Sequence, residues 1–286
     1  MKIENDIDLS KKTTFRIGGV AKYFYIPDSI DELIGVLNRL DKNYYVLSGG
    51  SNILINEQSS ISHVISMQNV DDSLVYKGNG VFNIGASCRI QSVIAYVNER
   101  GYGGFEELIG LPALFGGVIY MNAGIGSRNN VLFSISDYII RVKCFDKNKK
   151  EIVWLDKSDC DYHYRSSAFM KDEYIILGAE ILCKAQTTDV SNERIKRRKN
   201  IVKNNQEWGK GCFGSIFSES DRRLLKIASR IFRIKNRSIG ISSKNPNWIY
   251  NKGSATFKDT IQYIQLCEKL HAMAGKSIQR EIRIWS

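Results

Sequence analysis

The apolar and polar positions of the chain first predict a small α/β lobe. Residues 29–40 place leucine and valine at helical spacing behind Ser29, which can cap the first turn. The run Tyr44–Leu47 predicts a strand that leads at once into a glycine-rich turn, and Ile53–Ile55 predicts another short strand. We assign this succession to residues 1–60.

Short β-like runs then recur around one helix as far as about residue 183. The helix is predicted at Ile90–Arg100, where Gly101 supplies a stop signal. The predicted strands are His63–Met67, Gly80–Ile84, Tyr138–Phe145, Glu151–Leu155 and Tyr174–Leu182. This mixture predicts a second lobe of α+β type over residues 61–186.

The remaining residues, 187–286, are predicted to form a third domain. Its start, Thr187–Asn192, is polar and is predicted to be a linker. The elements predicted after it are a basic helix, a turn at Gly209–Phe217, helices at Asp221–Phe232 and Asp259–Ala274, and a terminal strand at Ser277–Ile284.

Composition narrows the classes of protein that remain possible. At 286 residues with 43% apolar residues, the chain is long enough to bury a real core. No apolar run approaches the roughly 18 residues needed to span a bilayer, and the first residues lack a signal-peptide pattern. We therefore expect a cytoplasmic protein that does not bind membranes.

Cysteine and histidine usage argues against a metal site. The six cysteines are scattered without a Cys-x-x-Cys pair, and there are three histidines. We expect no metal and no disulfide framework, and we expect most cysteines to be ordinary small apolar residues.

The net charge of +11 leaves several kinds of anionic partner open. Its densest cluster is Arg194–Lys199, with Lys203 following. A solvated helix face and guidance of a small phosphorylated ligand both explain this run. Nucleic acid is the weaker alternative, because no aromatic residues interleave with the charges. That alternative predicts a basic polyanion-binding protein without turnover.

Two glycine-rich segments can bring backbone close to a ligand. In Leu47–Asn52, consecutive glycines after a strand free the N–H groups to point toward an anion, although a hairpin turn explains the segment equally well. Neither a Rossmann fingerprint nor a Walker loop is present there. The glycines of residues 101–124 lie in apolar sequence, which fits packing against a flat group or a buried crossing between strands.

Three isolated polar residues are candidates for chemistry. Arg165 follows Tyr164, Ser215 follows Gly214, and Glu281 lies in the predicted terminal strand. The structural alternatives are a surface ion pair for the arginine, a turn serine, and a strand glutamate.

In their order, these segments resemble the UDP-N-acetylenolpyruvoylglucosamine reductase family over nearly the whole chain, in its shorter subgroup without a tyrosine-carrying insertion. The matching segments are Thr13–Gly19, Leu47–Asn52, Gly110–Gly124, Tyr164–Phe169, Gly214–Phe217 and Pro246–Thr256. The resemblance implies an α+β fold, with a two-lobed FAD-binding region of the vanillyl-alcohol-oxidase (PCMH) type followed by an α/β substrate-binding domain.

The resemblance also implies a reaction. NADPH would reduce non-covalently bound FAD, and the hydride would pass to the enolpyruvyl group of a UDP-sugar in peptidoglycan precursor synthesis. The implied partners are the UDP-sugar and NADPH, with no nucleic acid, and the protein would be a monomer or weak dimer.

The resemblance assigns roles to particular residues. Arg165 would neutralise the developing enolate, Ser215 would donate a proton, and Glu281 would assist, all around one isoalloxazine. The implied cofactor-binding residues are Leu47, Gly49, Gly50, Ser51, Asn52, Ile53, Pro112, Gly116, Gly117 and Asn122. Weaker substrate-binding candidates are Tyr164, Arg198, Lys203 and Gln206.

Several positions depart from the family pattern. Ser48 and Ala113 replace glycines, and an alanine that needs positive φ costs on the order of 1 kcal/mol. Other departures cluster in the third domain: Glu207, Ser218, Glu219 and Asn245. They allow two alternatives, a reductase for a related unsaturated nucleotide sugar or a flavin protein without turnover.

Overall fold

A computed structural model describes residues 1–40, 43–205, 207, 209–235 and 238–286. The helices are α1 (Ile30–Arg39), α2 (Ile90–Asn98), α3 (Phe115–Tyr120), α4 (Thr188–Asn205), α5 (Arg222–Lys235) and α6 (Phe257–Met273). Short 3-10 helices lie at Leu9–Lys12, Glu106–Gly110, Ile135–Asp137, Lys157–Cys160 and Ala168–Lys171.

The strands are short and numerous. They are β1 (Lys2–Asp8), β2 (Val20–Ile26), β3 (Tyr45–Leu47), β4 (Ile53–Ile55), β5 (Ile61–Ser66), β6 (Leu74–Gly78), β7 (Val81–Gly85), β8 (Tyr102–Gly103), β9 (Gly124–Ser127), β10 (Asn130–Ser134), β11 (Ile139–Asp146), β12 (Glu151–Asp156), β13 (Tyr174–Leu182), β14 (Lys184–Ala185), β15 (Phe217–Glu219), β16 (Ile239–Ile241), β17 (Ile249–Asn251), β18 (Gln279–Arg280) and β19 (Arg283–Trp285).

The chain divides into two compact units, each made of three segments. Unit 1 contains Met1–Glu4, Tyr23–Gly49 and His63–Ile201. Unit 2 contains Asn5–Lys22, Gly50–Ser62 and Val202–Ser286.

Unit 1 is built around an antiparallel sheet of five strands in the order β12-β11-β13-β7-β6. Apolar side chains of this sheet, such as Phe82 and Val142, pack with Ile94 of α2 and Phe115 of α3 in one core cluster. A second cluster includes Leu33 of α1. In a four-stranded sheet of order β1-β2-β5-β3, β3 runs parallel to β5. This parallel pair positions the glycine-rich turn that follows Leu47.

Helix α1 shows how local sequence produces one of these elements. Ser29 has extended backbone, and its side chain accepts a hydrogen bond from the Glu32 backbone N–H at 3.2 Å. Asp31 and Glu32 place negative charge in the first turn, where the helix dipole favours it, and Leu33 and Val36 are buried. The helix predicted at residues 29–40 is therefore confirmed.

Unit 2 surrounds one core cluster that includes Phe15, Phe217, Leu225 and Tyr263. Its strand pairs are β15 with β18, β16 with β17, and β4 with β19, of which only the last is parallel among the described residues. Helices α5 and α6 supply most of the helical side of this core.

The predicted linker Thr187–Asn192 is wrong, because α4 begins at Thr188. The polar side chains anchor the first turn instead of leaving it extended. The Ser191 N–H donates to the Thr187 carbonyl, and the fully buried Ser191 side chain donates to Glu106 at 3.2 Å and accepts from Gln186 at 2.7 Å. Polar composition did not distinguish these capping contacts from a flexible connection.

The single terminal strand predicted at Ser277–Ile284 is also wrong. The segment is divided into β18 and β19, which pair with β15 and β4 respectively. Glu281 lies between them, and its N–H donates to the Ile216 carbonyl at 2.7 Å. The chain changes its strand partner at Glu281. An alternation of apolar and polar residues in the sequence cannot indicate such a change.

Two further properties bear on function. No helix in the described ranges is both long and apolar enough to cross a membrane, and these ranges contain no group of three or more His, Cys, Asp or Glu side chains placed to hold a metal ion. The cysteines are free, and all except the half-buried Cys212 are buried. The prediction that most cysteines are small apolar residues is confirmed.

Candidate functional site

In unit 1, the turn after β3 lies against the segment that leads into α3. A Cβ placed on Gly49 would lie 3.2 Å from the Pro112 carbonyl oxygen, and one placed on Gly117 would lie 3.1 Å from Ser48 Oγ. A Cβ at either glycine would require its neighbour to shift by a few tenths of an ångström, so the two glycine-rich segments are closely packed. The strands on either side of the first turn pair with different partners, β5 and β19, so the hairpin interpretation is wrong.

The segment before α3 is held by backbone hydrogen bonds. Phe115 N–H donates to the Cys88 carbonyl at 2.8 Å, and Gly116 N–H donates to the Ala86 carbonyl at 2.9 Å. Ala113 is not among the described residues with positive φ. The strain expected for an alanine with positive φ therefore does not arise at Ala113.

Arg165 is held by its own backbone conformation and by nearby carbonyls. Its φ is +54°, in the left-handed region that few bulky residues adopt. Its guanidinium donates to the Gly124 carbonyl at 2.6 Å and to the Asn122 carbonyl at 3.3 Å. The guanidinium carbon also lies 4.9 Å from the centre of the Tyr164 ring. Arg165 is thus a positioned cation, and these contacts differ from the surface ion pair considered above.

Asn122 positions the turn that carries Arg165. It is buried with φ at +43°. Its amide nitrogen donates to the His163 carbonyl at 2.9 Å, and its amide oxygen accepts from Ser136 N–H at 3.2 Å. Both ends of the amide therefore have protein partners, while its role toward a cofactor stays a prediction.

In unit 2, the Gly50 backbone requires glycine. Its φ is +64°, and a Cβ there would lie 2.2 Å from the Lys12 carbonyl oxygen. The Gly50 carbonyl accepts from Thr14 N–H at 3.0 Å, and the Thr14 hydroxyl donates to the Cys212 carbonyl at 2.6 Å. The Thr13–Gly19 segment singled out in the sequence thus holds this loop.

Asn52 joins the same loop to the segment around Glu281. Its amide nitrogen donates to the Glu281 carbonyl at 3.1 Å, and its own carbonyl accepts from Arg283 N–H at 3.0 Å. Ile53 then pairs with Arg283 at the start of the parallel β4–β19 ladder. Two predicted site residues, Asn52 and Glu281, are therefore brought together by direct hydrogen bonding.

Ser215 lies in a turn opened by Gly214, whose φ is +80°. The indole N–H of Trp248 donates to Ser215 Oγ at 2.8 Å. A hydroxyl has one donor hydrogen, so the Ser215 O–H can still donate after its oxygen has accepted this bond. Its neighbour Ile216 accepts from Glu281 N–H at 2.7 Å, which ties the Ser215 turn to the Glu281 segment.

Trp248 is a hydrogen-bond partner of the predicted catalytic Ser215 that the sequence interpretation missed. The available signal was its position in Pro246–Thr256, where the resembled family has phenylalanine. Phenylalanine has no side-chain N–H. The tryptophan of this chain can therefore donate a hydrogen bond to the serine, whereas the phenylalanine of the family pattern cannot. The Trp248–Ser215 contact depends on packing between segments that are distant in sequence, so the local pattern of apolar and polar residues does not indicate it.

The weaker substrate-binding candidates are less well organised. Arg198 Nε is buried without a hydrogen-bond partner among the described residues. Burial lowers the pKa of the Arg198 guanidinium, and Glu107 partly offsets this. Tyr164 donates to the Gly126 carbonyl at 3.2 Å, and Lys203 is exposed on α4. Gln206 lies outside the described residues.

Comparison with known proteins places this geometry in a family. A UDP-N-acetylenolpyruvoylglucosamine reductase from Pseudothermotoga lettingae is 31% identical over 298 residues, covering 99% of this chain and 98% of that protein. The chain belongs to the UDP-N-acetylenolpyruvoylglucosamine reductase family. A protein of the same name from Thermosipho melanesiensis is 28% identical, covering 100% of this chain and 98% of its own.

Structural and domain comparisons agree with this family assignment. The crystal structure of UDP-N-acetylenolpyruvylglucosamine reductase (MurB) from Thermus caldophilus matches with a TM-score of 0.79 at 22% identity, with full coverage of both chains. Residues 21–156 match the model of an FAD binding domain. The predicted α+β fold with an FAD-binding region is confirmed.

The residues of this family member fit an FAD diphosphate on their own geometry. In unit 2, the N–H groups of Gly50 and Ser51 have no protein acceptor among the described residues. Such consecutive donors suit an anion. The buried Ser48 Oγ likewise has no partner among these residues. The turn therefore presents donors that a phosphate-bearing cofactor can satisfy.

Proposed function

We propose that this chain reduces UDP-N-acetylglucosamine enolpyruvate to UDP-N-acetylmuramate, with FAD as cofactor and NADPH as hydride donor. The observation that carries the proposal is the match, over 99% of the chain, to a relative named for this reductase activity. The FAD-domain match and the unpaired N–H groups of Gly50 and Ser51 among the described residues support the choice of cofactor.

The glycine-rich turns are proposed to hold the cofactor. When bound there, FAD would supply the hydride-transfer chemistry, with NADPH as the source of the hydride. The proposed binding residues beyond the turn are Leu47, Asn52, Ile53, Pro112, Gly116, Gly117 and Asn122. Their glycines allow backbone to approach a bulky ligand, and their roles stay predictions.

Arg165 is proposed to stabilise negative charge on the substrate. Hydride addition to an alkene conjugated with a carboxylate builds enolate charge on that carboxylate. A guanidinium offers a planar cationic fork for such a group. The contacts to Asn122 and Gly124 support this role, because a cation fixed before reaction needs little reorganisation during it.

Ser215 is proposed to donate the proton that completes the reduction. Its oxygen accepts from the Trp248 indole, which stabilises negative charge left on that oxygen as the proton departs. Glu281, when protonated or hydrogen-bonded through water, is proposed to assist with the enolate charge. Its tie to Ile216 supports a place near the serine turn.

Substrate binding is proposed to involve the cations of α4. Arg198 Nε has no hydrogen-bond partner among the described residues, which supports an anionic partner at this position. Lys203, Tyr164 and Gln206 are proposed on the resemblance alone. The domain boundaries at residues 60 and 186, a cytoplasmic location and a monomeric or weakly dimeric state also stay predictions.

An absorbance experiment tests the proposal. The purified protein should be yellow, NADPH should bleach it under anaerobic conditions, and UDP-N-acetylglucosamine enolpyruvate should restore the colour. A colourless protein with no affinity for added FAD would contradict the proposal. Bleaching without reoxidation would instead favour the alternative of an altered substrate, which the substitutions at Glu207 and Glu219 motivated.

A further inference from the structure

Ser48 carries a hydroxyl that the described protein groups leave unsatisfied. Its Oγ is buried and has no hydrogen-bond partner there. Burying a polar atom without a partner costs free energy, and native structures therefore rarely keep one without a reason. The Ser48 hydroxyl lies within the turn of residues 47–49, where the cofactor is proposed to bind.

The surroundings of Ser48 point to a ligand. On one side, a Cβ on Gly117 would lie 3.1 Å from Ser48 Oγ, so the hydroxyl lies beside the glycine-rich entry to α3. The next residue in the chain is Gly49, whose N–H group has no acceptor among the described residues. Two consecutive residues of unit 1 thus carry donors that the described protein groups leave without an acceptor.

We infer that the Ser48 hydroxyl donates a hydrogen bond to an oxygen of bound FAD. This inference rests on the proposed use of FAD and adds a contact that the glycine of the resembled family pattern cannot make. FAD carries phosphate oxygens and ring carbonyls as acceptors, and a serine hydroxyl has one hydrogen to donate. The bond would satisfy Ser48 only in the FAD-bound protein.

The first test measures FAD affinity. FAD is removed from the wild type, Ser48→Ala and Ser48→Gly, and each apoprotein is titrated with FAD by calorimetry. Both variants should bind FAD about tenfold more weakly, a difference of 1.4 kcal/mol. Ser191→Ala is the matched control, because the Ser191 hydroxyl is buried but hydrogen-bonded to Glu106 and Gln186. It should leave the FAD affinity unchanged.

The second test compares thermal unfolding with and without FAD. Ser48→Ala removes an unsatisfied group from the apoprotein, so the Tm of the apoprotein should rise by about 2 °C, whereas the rise in Tm that saturating FAD produces should be about 2 °C smaller in the variant than in the wild type. Ser191→Ala should lower the Tm both with and without FAD.

The outcomes separate this inference from the function on which it rests. If the wild-type apoprotein fails to bind FAD, both are wrong. If the wild type binds FAD and both Ser48 variants bind it equally well, only the inference about Ser48 is wrong.

Discussion

Single residues carry the candidate chemistry through backbone shape and through particular hydrogen bonds. Arg165 and Asn122 both have positive φ without being glycine. Such strain persists where surrounding contacts impose it, and it is common at functional sites. Here the carbonyls of Asn122 and Gly124 receive the arginine donors, so the strained turn and the cation are parts of one arrangement.

Trp248→Phe should slow turnover more than it weakens binding. The change removes the only donor to Ser215 Oγ recorded among the described residues and keeps an aromatic ring. We expect kcat to fall by about fivefold at unchanged KM, with a shifted pH profile, since a hydrogen bond of this kind contributes about 1 kcal/mol. Steady-state kinetics of FAD-saturated protein provide the measurement. Trp154→Phe, at an exposed strand position, is the control, and a matched rise in KM would contradict this role.

Gly50→Ala should destabilise the protein, whereas Gly35→Ala should not. Alanine at Gly50 combines positive φ with a clash against the Lys12 carbonyl, and we expect a loss of at least about 2 kcal/mol. Gly35 lies within α1 with open space around it, so alanine there should add about 0.5–1 kcal/mol. Urea unfolding measures both free energies. Equal effects would show that the constraint at Gly50 is absent.

At the scale of elements, helices with their own capping signals were predictable, and segments defined by distant partners were not. Helix α5 was predicted from Asp221 and begins directly after it. By contrast, β18 and β19 owe their boundaries to β15 and β4, which lie far away in sequence. Local patterns record propensity and capping, while the choice of strand partner depends on the folded surroundings.

The cap of α5 predicts a pH-dependent contribution to stability. Hydrogen bonds from the N–H groups of Arg223 and Leu224 hold the pKa of Asp221 below its ordinary value. The contribution is therefore fully present above the ordinary carboxyl pKa of about 4 and is lost as pH falls through the depressed value in the folded protein.

Asp221→Ala should accordingly lower Tm at pH 7, and the difference from the wild type should shrink as the pH falls below about 4. Thermal unfolding across this pH range measures it. Asp221→Asn keeps an accepting cap without a titrating charge and should lose less stability than alanine at pH 7. A difference between wild type and alanine that is constant with pH would argue against a charged cap.

For the whole molecule, motif order was more informative than any single motif. The order indicated the family and the FAD-binding region, as the comparisons confirm. It did not predict the Trp248–Ser215 contact or the unsatisfied Ser48 hydroxyl, because both follow from residues that depart from the family pattern. The effect of a residue that departs from the family pattern depends on its neighbours in the folded structure, and the sequence pattern does not specify those neighbours.

FAD should stabilise the whole protein in a concentration-dependent way. A ligand that binds only the folded state adds about 2.7 kcal/mol at one hundred times its Kd. For a chain of this size, we expect Tm to rise by about 5 °C. Thermal scans over a series of FAD concentrations test this, with riboflavin as the control that lacks the diphosphate. A Tm independent of FAD would contradict reversible binding.

The parallel pair of β4 and β19 has a consequence for biosynthesis. Ile53–Ile55 leave the ribosome early, yet their partner Arg283–Trp285 is translated late. Unit 2 therefore cannot complete this ladder until β19 has been synthesised. Until then, the unpaired edge of β4 can form hydrogen bonds with strands of other chains. Chains truncated before residue 283 should therefore depend on chaperones more than the full-length chain does.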